Sequence, residues 1–224
     1  MHPRTVGRLC QTPISSNSPP HRNALRPRRT HAFTLIELLV VIGIIATLVG
    51  LLFPAFKAVQ TQARQTQAKN DLTQIVNAVN AFYTDYGKYP LATNDNTITN
   101  NADLSYTLRA VASGANASNA TNPRQIVFIN PPYVKNDTAG NRRSGVSPTD
   151  GQFYDPCGTR YVMKIDGTYD NQLANPYSLN AGPATLAIGV IAWSFGADGQ
   201  SGSVPGPAAD KNLGNAADDV ISWQ

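Results

Sequence analysis

The sequence predicts an α+β fold in which one long N-terminal helix packs on a small antiparallel β-sheet, followed by a loop-rich C-terminal part. Three observations support this prediction. An apolar run without charges follows Glu37 and extends to Phe56. A polar stretch with apolar residues at helical spacing continues it as far as Tyr83, and strand-like segments begin only after Gln125. A chain in which a helix precedes a group of strands is typical of the α+β class.

The first 32 residues form a basic segment that precedes the helix. They contain six arginines and no acidic residue, and they are rich in Pro, Ser and Asn without hydrophobic periodicity. Such a composition cannot build a core. The whole chain has 18 Lys and Arg against 14 Asp and Glu, whereas the residues from 33 onward keep 12 basic and 14 acidic side chains. We predict that residues 1–32 are a leader that is cleaved off.

The cysteine and histidine count narrows the possible chemistry. All three histidines and Cys10 lie in the leader, so the remaining chain has no histidine and one cysteine, Cys157. This argues against a histidine-based triad, a His/Cys zinc site and an intrachain disulfide. A Gly-x-Ser-x-Gly motif is also absent from the sequence. We therefore predict no enzyme, although an aspartate dyad in a membrane-tethered hydrolase or binding module stays open as an alternative.

Residues 33–56 have the length and composition of a transmembrane helix. As a helix they would extend about 36 Å, enough to cross a bilayer. The run is longer than the core of a secretory signal, and a polar helix-forming stretch follows it in place of a cleavage site. The arginines before it favour a cytoplasmic N-terminus. We predict a single-pass inner-membrane protein with residues 57–224 as a globular domain on the periplasmic side.

Glu37 is the one charge in the first turns of this helix. A carboxylate there costs about 3 kcal/mol on insertion scales, so it needs either a partner or access to the lipid headgroups. The apolar run contains no Lys or Arg. A cut just before Phe33 would create an amine that is largely protonated at neutral pH. Between staggered chains, Glu37 and the amine of Phe33 can pair and set the register.

The residues around this point resemble the N-terminus of type IV pilins and pseudopilins. A basic leader precedes a small residue, Ala32, then Phe-Thr-Leu-Ile-Glu and an apolar helix. The resemblance implies that a prepilin peptidase cuts between Ala32 and Phe33 and methylates the amine of Phe33. It also implies that Glu37 is the assembly glutamate, and Pro54 matches a proline of the family's helices. Two departures are Ala32, where glycine is usual, and the long leader.

The second half of the predicted helix carries an apolar stripe and a defined end. The expected core residues lie at spacings of three and four: Ala68, Leu72, Ile75, Val76, Val79, Phe82 and Tyr83. Gly87 and Pro90 end the pattern, and Pro54 predicts a kink further up. The ending Tyr-Gly-Lys-Tyr-Pro resembles the major pseudopilin of type II secretion.

After the helix the sequence predicts short elements. A helix is expected around Leu104–Ala112, capped by Asn101 or Asp103. The expected strands are Ile126–Asn130, Arg160–Ile165 and Thr185–Ser194. Between them, Asp155-Pro-Cys157-Gly resembles a pseudopilin segment that commonly has Trp in place of the cysteine. We expect Cys157 to be a buried small hydrophobic residue, with an intermolecular disulfide as the alternative.

The C-terminal stretch from Trp193 to Trp223 resembles the end of the major pseudopilin, whose loop binds calcium. Calcium takes six to eight oxygen ligands, which carboxylates and the carbonyls of a Gly-rich loop can supply. The resemblance therefore implies a structural calcium site. Its ligands would be the carbonyl of Phe195 and the carboxylates of Asp198, Asp218 and Asp219. The alternative is that these aspartates cap turns and stay solvated; for Asp166 and Asp170, in a second acidic loop, we expect a plain turn.

Together these features predict a pseudopilin of a type II secretion system. The expected partners are further copies of the chain in a helical filament, a prepilin peptidase, minor pseudopilins, and an inner-membrane platform with its ATPase. The alternative within the family is a type IV pilus subunit or minor pilin for adhesion, motility or DNA uptake. Residues 57–224 hold 12 basic and 13 acidic side chains, so we expect no nucleic-acid partner.

Overall fold

The computed structural model describes residues 33–177, 179–200 and 210–224, so the predicted leader, including Ala32, lies outside the described residues. The chain divides into two compact units, one ending at Val49 and the other beginning at Gly50. The long helix α1, Leu35–Tyr86, supplies residues to both units. The predicted α+β class is confirmed, with one long helix before a set of antiparallel strands.

In the first unit, every residue of α1 from Leu35 to Val49 is exposed. The helix is long and apolar enough to cross a membrane, and its most apolar window has no buried residue. A helix that is apolar on all sides without being buried in its own chain requires lipid or other helices around it. This property indicates a membrane anchor.

In the second unit, one face of α1 is buried in the main hydrophobic core. The buried residues of this face are Ala68, Leu72, Ile75, Ala78, Val79 and Phe82. The predicted stripe is too wide by one residue, because Tyr83 is exposed and stacks on Tyr89 with ring centroids 4.5 Å apart. The helix ends where predicted: Gly87 has φ +66°, and its N–H donates to the carbonyl of Tyr83 at 2.8 Å.

A four-stranded antiparallel sheet in the order β1-β4-β7-β8 lies beside this helix face. Two two-stranded ladders, β2-β3 and β5-β6, accompany it. The strands are β1 Thr97–Ile98, β2 Gly145–Val146, β3 Phe153–Tyr154, β4 Val162–Ile165, β5 Leu173–Ala174, β6 Thr185–Leu186, β7 Val190–Ser194 and β8 Val220–Ile221. The second helix α2 is Ala102–Leu108, and 3₁₀ turns occupy Gly114–Asn119 and Gly214–Ala216.

The alternation of side chains along β7 divides the apolar residues into two cores. Val190 and Ala192 belong to the main core with α1, whereas Ile191 and Trp193 belong to a second core. Besides Val162 of β4, the second core collects apolar residues that follow β4 in the sequence: Leu173, Tyr177, Ala181, Leu186, Ala216 and Ile221, with Trp223 packed against it. β7 is thus buried on both faces and holds the two cores together.

Two of the predicted strands are wrong in detail. Residues 126–130 are not a strand. The N–H groups of Phe128 and Ile129 both donate to the carbonyl of Leu108 at the end of α2. Thr185–Ser194 forms two strands, β6 and β7, separated by residues 187–189. In residues 126–130 the backbone has a hydrogen-bond partner on α2, which strand periodicity does not reveal.

The second helix begins and ends earlier than the predicted Leu104–Ala112. Asn101 stands at its N-cap position but makes no side-chain capping bond. Its buried amide donates instead to the carbonyls of Phe153 and Tyr161 at 3.0 and 2.8 Å. The side chain of Asn101 therefore ties the start of α2 to β3 and to the residue that precedes β4.

Candidate functional sites

The N-terminal end of α1 is closed by a reciprocal pair of residues, Thr34 and Glu37. The N–H and the hydroxyl of Thr34 both donate to Glu37 Oε2, at 3.0 and 2.8 Å. The N–H of Glu37 donates back to Thr34 Oγ1 at 3.3 Å. This is a capping box, which satisfies backbone donors that the first helical turn leaves free. The predicted assembly glutamate therefore has hydrogen-bond partners within its own chain.

The other residues predicted for processing and assembly lie on or before the same helix. Phe33 is exposed and immediately precedes the capping pair. Ala32 lies outside the described residues, so the cleavage point between them stays a prediction. The helical backbone of α1 continues through Pro54, and the predicted kink there stays a prediction as well.

The structure brings the predicted calcium ligands Asp198, Asp218 and Asp219 together. One carboxylate oxygen from each lies within 4.8 Å of the others. The pairing of β8 with β7 causes this approach, because Trp193 faces Ile221 and Ser194 faces Val220. Asp218 and Asp219 come just before β8, and Asp198 comes just after β7. We call these three residues the C-terminal cluster.

The turn that contains Gly196 holds the side chain of Asp218 in the C-terminal cluster. Asp218 Oδ2 accepts the N–H groups of Ala197 and Asp198 at 2.5 and 3.2 Å. Gly196 has φ +62°, and a Cβ at this position would stand 2.5 Å from oxygen atoms of Asp218. Only glycine allows this close approach, so the turn after β7 is shaped to hold the carboxylate of Asp218.

Asp219 is the buried member of the C-terminal cluster. Its Oδ2 accepts the hydroxyl of Tyr177 at 2.6 Å, whereas its Oδ1 is buried and has no hydrogen-bond partner among the described residues. Burial raises the pKa of Asp219 to about 7; the bond from Tyr177 lowers it, and the negative charge of Asp218 raises it further. An orphaned buried carboxylate oxygen is costly unless a cation or donor satisfies it.

The donor set of the C-terminal cluster fits a hard cation. Three carboxylates offer oxygens of the kind that calcium takes, and the orphaned Oδ1 of Asp219 belongs to that group. The side chain of Phe195 packs against the second core, and the role of its carbonyl as a ligand stays a prediction. Residues 201–209 of the same loop lie outside the described residues.

A second acidic cluster comprises Asp95, Asp166 and Asp170, whose carboxylate oxygens also come within 4.8 Å of one another. Here the buried carboxylate is satisfied by the chain. Asp166 Oδ1 accepts the N–H of Tyr169 and Oδ2 that of Asn171, both at 2.7 Å. Asp95 Oδ1 accepts the N–H of Gly167 at 2.9 Å. These bonds organise a loop, in agreement with the plain turn expected for Asp166 and Asp170. The sequence did not indicate that Asp95 contributes to this cluster.

Cys157 lies in a loop that is organised by the buried side chain of Asp155. Asp155 Oδ1 accepts the N–H groups of Cys157, Gly158 and Thr159 at 2.9, 2.6 and 2.8 Å. Cys157 itself is half-buried, less than the sequence led us to expect. Burial and the nearby charge of Asp155 raise the pKa of its thiol, which disfavours the reactive thiolate.

Residues 27–53 match the family model described as the prokaryotic N-terminal methylation motif. Over 61 residues the chain is 34% identical to the type IV major pilin protein PilA of Myxococcus xanthus strain DK1622. That match covers 27% of this chain and 28% of the relative, about a quarter of each. No solved structure matches the chain. Taken with the apolar helix and the sheet that follows it, these similarities of the N-terminal part support a type IV pilin-like protein with a prepilin-type N-terminal motif.

Proposed function

We propose that the chain is a subunit of a helical filament, cut by a prepilin peptidase between Ala32 and Phe33 and stored in the inner membrane before assembly. One observation carries the proposal: the helix from Leu35 to Val49 is apolar and exposed on every side, apart from Glu37 near its beginning. Lipid can cover such a surface in a single subunit. In a filament the corresponding helices of neighbouring subunits replace the lipid.

The capping box assigns two successive roles to Glu37 in this proposal. Before assembly, Thr34 donates two hydrogen bonds to Glu37 and so reduces the cost of a carboxylate near the membrane. After cleavage, the amine of Phe33 in a neighbouring subunit offers a full positive charge. Opposite charges attract more strongly in a low-dielectric surrounding than in water, so the pair fixes the axial position of each subunit.

Within this class we favour a pseudopilus of a type II secretion system, with the C-terminal domain in the periplasm. The C-terminal cluster supports this choice, because the sequence around it resembles the major pseudopilin. An assembly ATPase, a platform protein and minor pseudopilins would be its partners. The second candidate is a subunit of a type IV pilus, which the similarity to a type IV major pilin favours.

We propose further that the C-terminal cluster binds calcium through Asp198, Asp218 and Asp219, with the carbonyl of Phe195 as an additional ligand. The support is the orphaned oxygen of Asp219, which a cation would satisfy. The ion would connect the turn after β7 to the residues before β8. It would thereby hold the C-terminal segment on the sheet, with a stabilisation that depends on free calcium.

Substitution of Glu37 tests the filament proposal. In cells producing the full chain, we expect Glu37→Ala to leave cleavage intact and to abolish filaments. Thr47→Ala, a polar deletion on the same exposed helix, is the matched control and should assemble normally. Mass spectrometry should find a mature chain that begins at a methylated Phe33. Normal filaments from Glu37→Ala, or a mature chain that retains residues 1–32, would contradict the proposal.

The two kinds of filament differ in where they act. Deleting the gene should leave folded exoproteins in the periplasm if the chain is a secretion pseudopilin. It should instead remove filaments that can be sheared from the cell surface if the chain is a pilus subunit. Measuring exported protein and sheared filaments in the same strain distinguishes the two.

A further inference from the structure

The C-terminal cluster brings three carboxylates together, one of them buried. Their oxygens come within 4.8 Å of one another, and none of the three forms an ion pair with a residue that the structure describes. Asp219 is 4% exposed, and its Oδ1 has no hydrogen-bond partner among the described residues. Carboxylates this close repel one another, and burial removes the water that would screen them. Positive charge near the cluster would therefore stabilise the fold.

A groove of about 700 Å³ runs beside Asp219, between α1 and the C-terminal segment. Lys69 and Lys211 both line this groove together with Asp219. The ammonium group of Lys69 is already bound, because it donates to the carbonyl of Ile221 at 2.7 Å and to that of Gln224. Lys211 is therefore the better placed of the two lysines to act on the carboxylates.

The backbone of Lys211 is held in place beside the groove. Its N–H donates to the carbonyl of Leu179 at 3.0 Å, and Leu179 also forms a β-bridge with Asp210. The ammonium group of Lys211 forms no ion pair with any residue that the structure describes. Its charge nevertheless reaches the cluster: burial raises the pKa of Asp219, and the positive charge of Lys211 opposes that rise.

We infer that Lys211 is a built-in counter-charge of the C-terminal cluster and sets the affinity of the cluster for calcium. This inference rests on the proposed calcium site and concerns its regulation. In the calcium-free chain, the ammonium group offsets part of the repulsion among the three carboxylates. The same charge repels a calcium ion at the site. Because ligand charge tunes calcium affinity, the site should fill only at a higher calcium concentration than three carboxylates alone would require.

The role of Lys211 differs from that of a ligand. A charged ammonium group has only hydrogen-bond donors, so it cannot coordinate a cation. Lysine carries a point charge on a flexible four-carbon stem, which suits an action at a distance. The effect of Lys211 should therefore follow the charge at this position rather than the shape of the side chain.

Calorimetric titration of the full chain in detergent with calcium tests the affinity. At pH 8, Asp219 is ionised. Lys211→Gln should then lower the Kd for calcium about three- to tenfold, because it removes a positive charge close to the site. Lys211→Arg keeps the charge and should stay within about twofold of the native chain. Lys135→Gln changes the net charge equally at an exposed position outside the groove and is the matched control.

Thermal melts in chelator test the calcium-free role without any binding. Lys211→Gln should lower the melting temperature by about 1–3 °C. In an Asp219→Asn background the same substitution should have less than about half of this effect, because the buried charge that Lys211 offsets is gone. An equal loss in both backgrounds would indicate a merely structural lysine and overturn the inference.

The outcomes separate this inference from the proposed calcium site. Calcium binding that Lys211→Gln leaves unchanged, or that Lys211→Arg tightens as much as Lys211→Gln does, would overturn the role of Lys211 and leave the calcium site standing. If neither the native chain nor Lys211→Gln binds calcium, the calcium site and the effect on affinity are both wrong. The melts in chelator then decide alone whether Lys211 offsets the carboxylates.

Discussion

The two acidic clusters have the same composition but differ in whether the buried carboxylate has hydrogen-bond donors for both of its oxygens. Each brings three aspartate oxygens within 4.8 Å, and each contains one buried member. In the loop after β4, both oxygens of Asp166 accept backbone N–H groups. In the C-terminal cluster, one oxygen of Asp219 has no partner within the described residues. The difference teaches that unmet hydrogen-bonding capacity, rather than the number of carboxylates, distinguishes a candidate ion site from a turn.

Addition of calcium is the strongest test of the difference between the two acidic clusters. For the processed full chain in detergent, we expect saturating calcium to raise the melting temperature by about 5–10 °C relative to a chelator. This follows from about 2.7 kcal/mol at a hundredfold excess over Kd and about 2–4 °C per kcal/mol for a chain of this size. Thermal melts monitored by circular dichroism measure it, with magnesium as the control ion. Equal melting temperatures in calcium and chelator would remove the distinction between the clusters.

Asp219→Asn should abolish the calcium response and raise the melting temperature in chelator by about 2–4 °C, since it removes a buried carboxylate whose Oδ1 has no partner among the described residues. The matched variant Asp166→Asn should instead lower the melting temperature by a similar amount in both conditions, because the neutral amide cannot accept both N–H bonds. Differential scanning calorimetry of both variants measures these two opposite shifts in melting temperature. A loss of stability in Asp219→Asn under chelator would contradict the orphaned-oxygen interpretation.

The pH dependence of the calcium-free chain gives a further test. The pKa of Asp219 in the folded chain is about 7, above the value of about 3.9 in an unfolded chain. Between these values the folded state holds a proton that the unfolded state releases, so the contribution of Asp219 to stability falls as pH rises from about 4 to 7. Above about pH 7 this contribution is constant. Chemical unfolding in chelator at several pH values measures it, and Asp219→Asn should flatten this part of the profile.

The smallest expected effect concerns Thr34, at the opposite end of the chain from the C-terminal cluster. Thr34→Ala removes the hydroxyl that donates to Glu37 and should cost about 1 kcal/mol of helix stability. We expect filaments still to form, since Glu37 keeps its charge. In the variant subunit, however, the first turn of α1 should fray. Amide hydrogen exchange of residues 35–38 in detergent should rise, whereas Thr47→Ala should leave it unchanged.

Predictions from sequence were most accurate where one local pattern determines the structure. The end of α1 was predicted correctly because Gly87 supplies a left-handed C-terminal position. The approach of Asp198, Asp218 and Asp219 was anticipated from a family resemblance, and it requires the β7–β8 pairing that only the structure displays. Thr34 and Glu37 carry the three-residue spacing of a capping box, a signal that the sequence alone displays.

Predictions were poorest where one polar side chain connects distant segments. Either Asn101 or Asp103 was expected to cap α2, yet the side-chain amide of Asn101 donates to carbonyls more than fifty residues away. Asn122 likewise accepts the N–H of Ile126 and donates to its carbonyl, so both backbone groups of the first residue of the predicted strand are occupied. Neither side chain differs locally from any other asparagine in this Asn-rich sequence, so periodicity cannot reveal the connection.

The position of β7 between two cores has a consequence for unfolding. Its neighbours β4 and β8 hydrogen-bond to its two edges, and its two faces pack on different apolar clusters. Because opening either core would expose one face of β7, we expect the two cores to melt together. The unit beginning at Gly50 should therefore unfold on heating as one cooperative body.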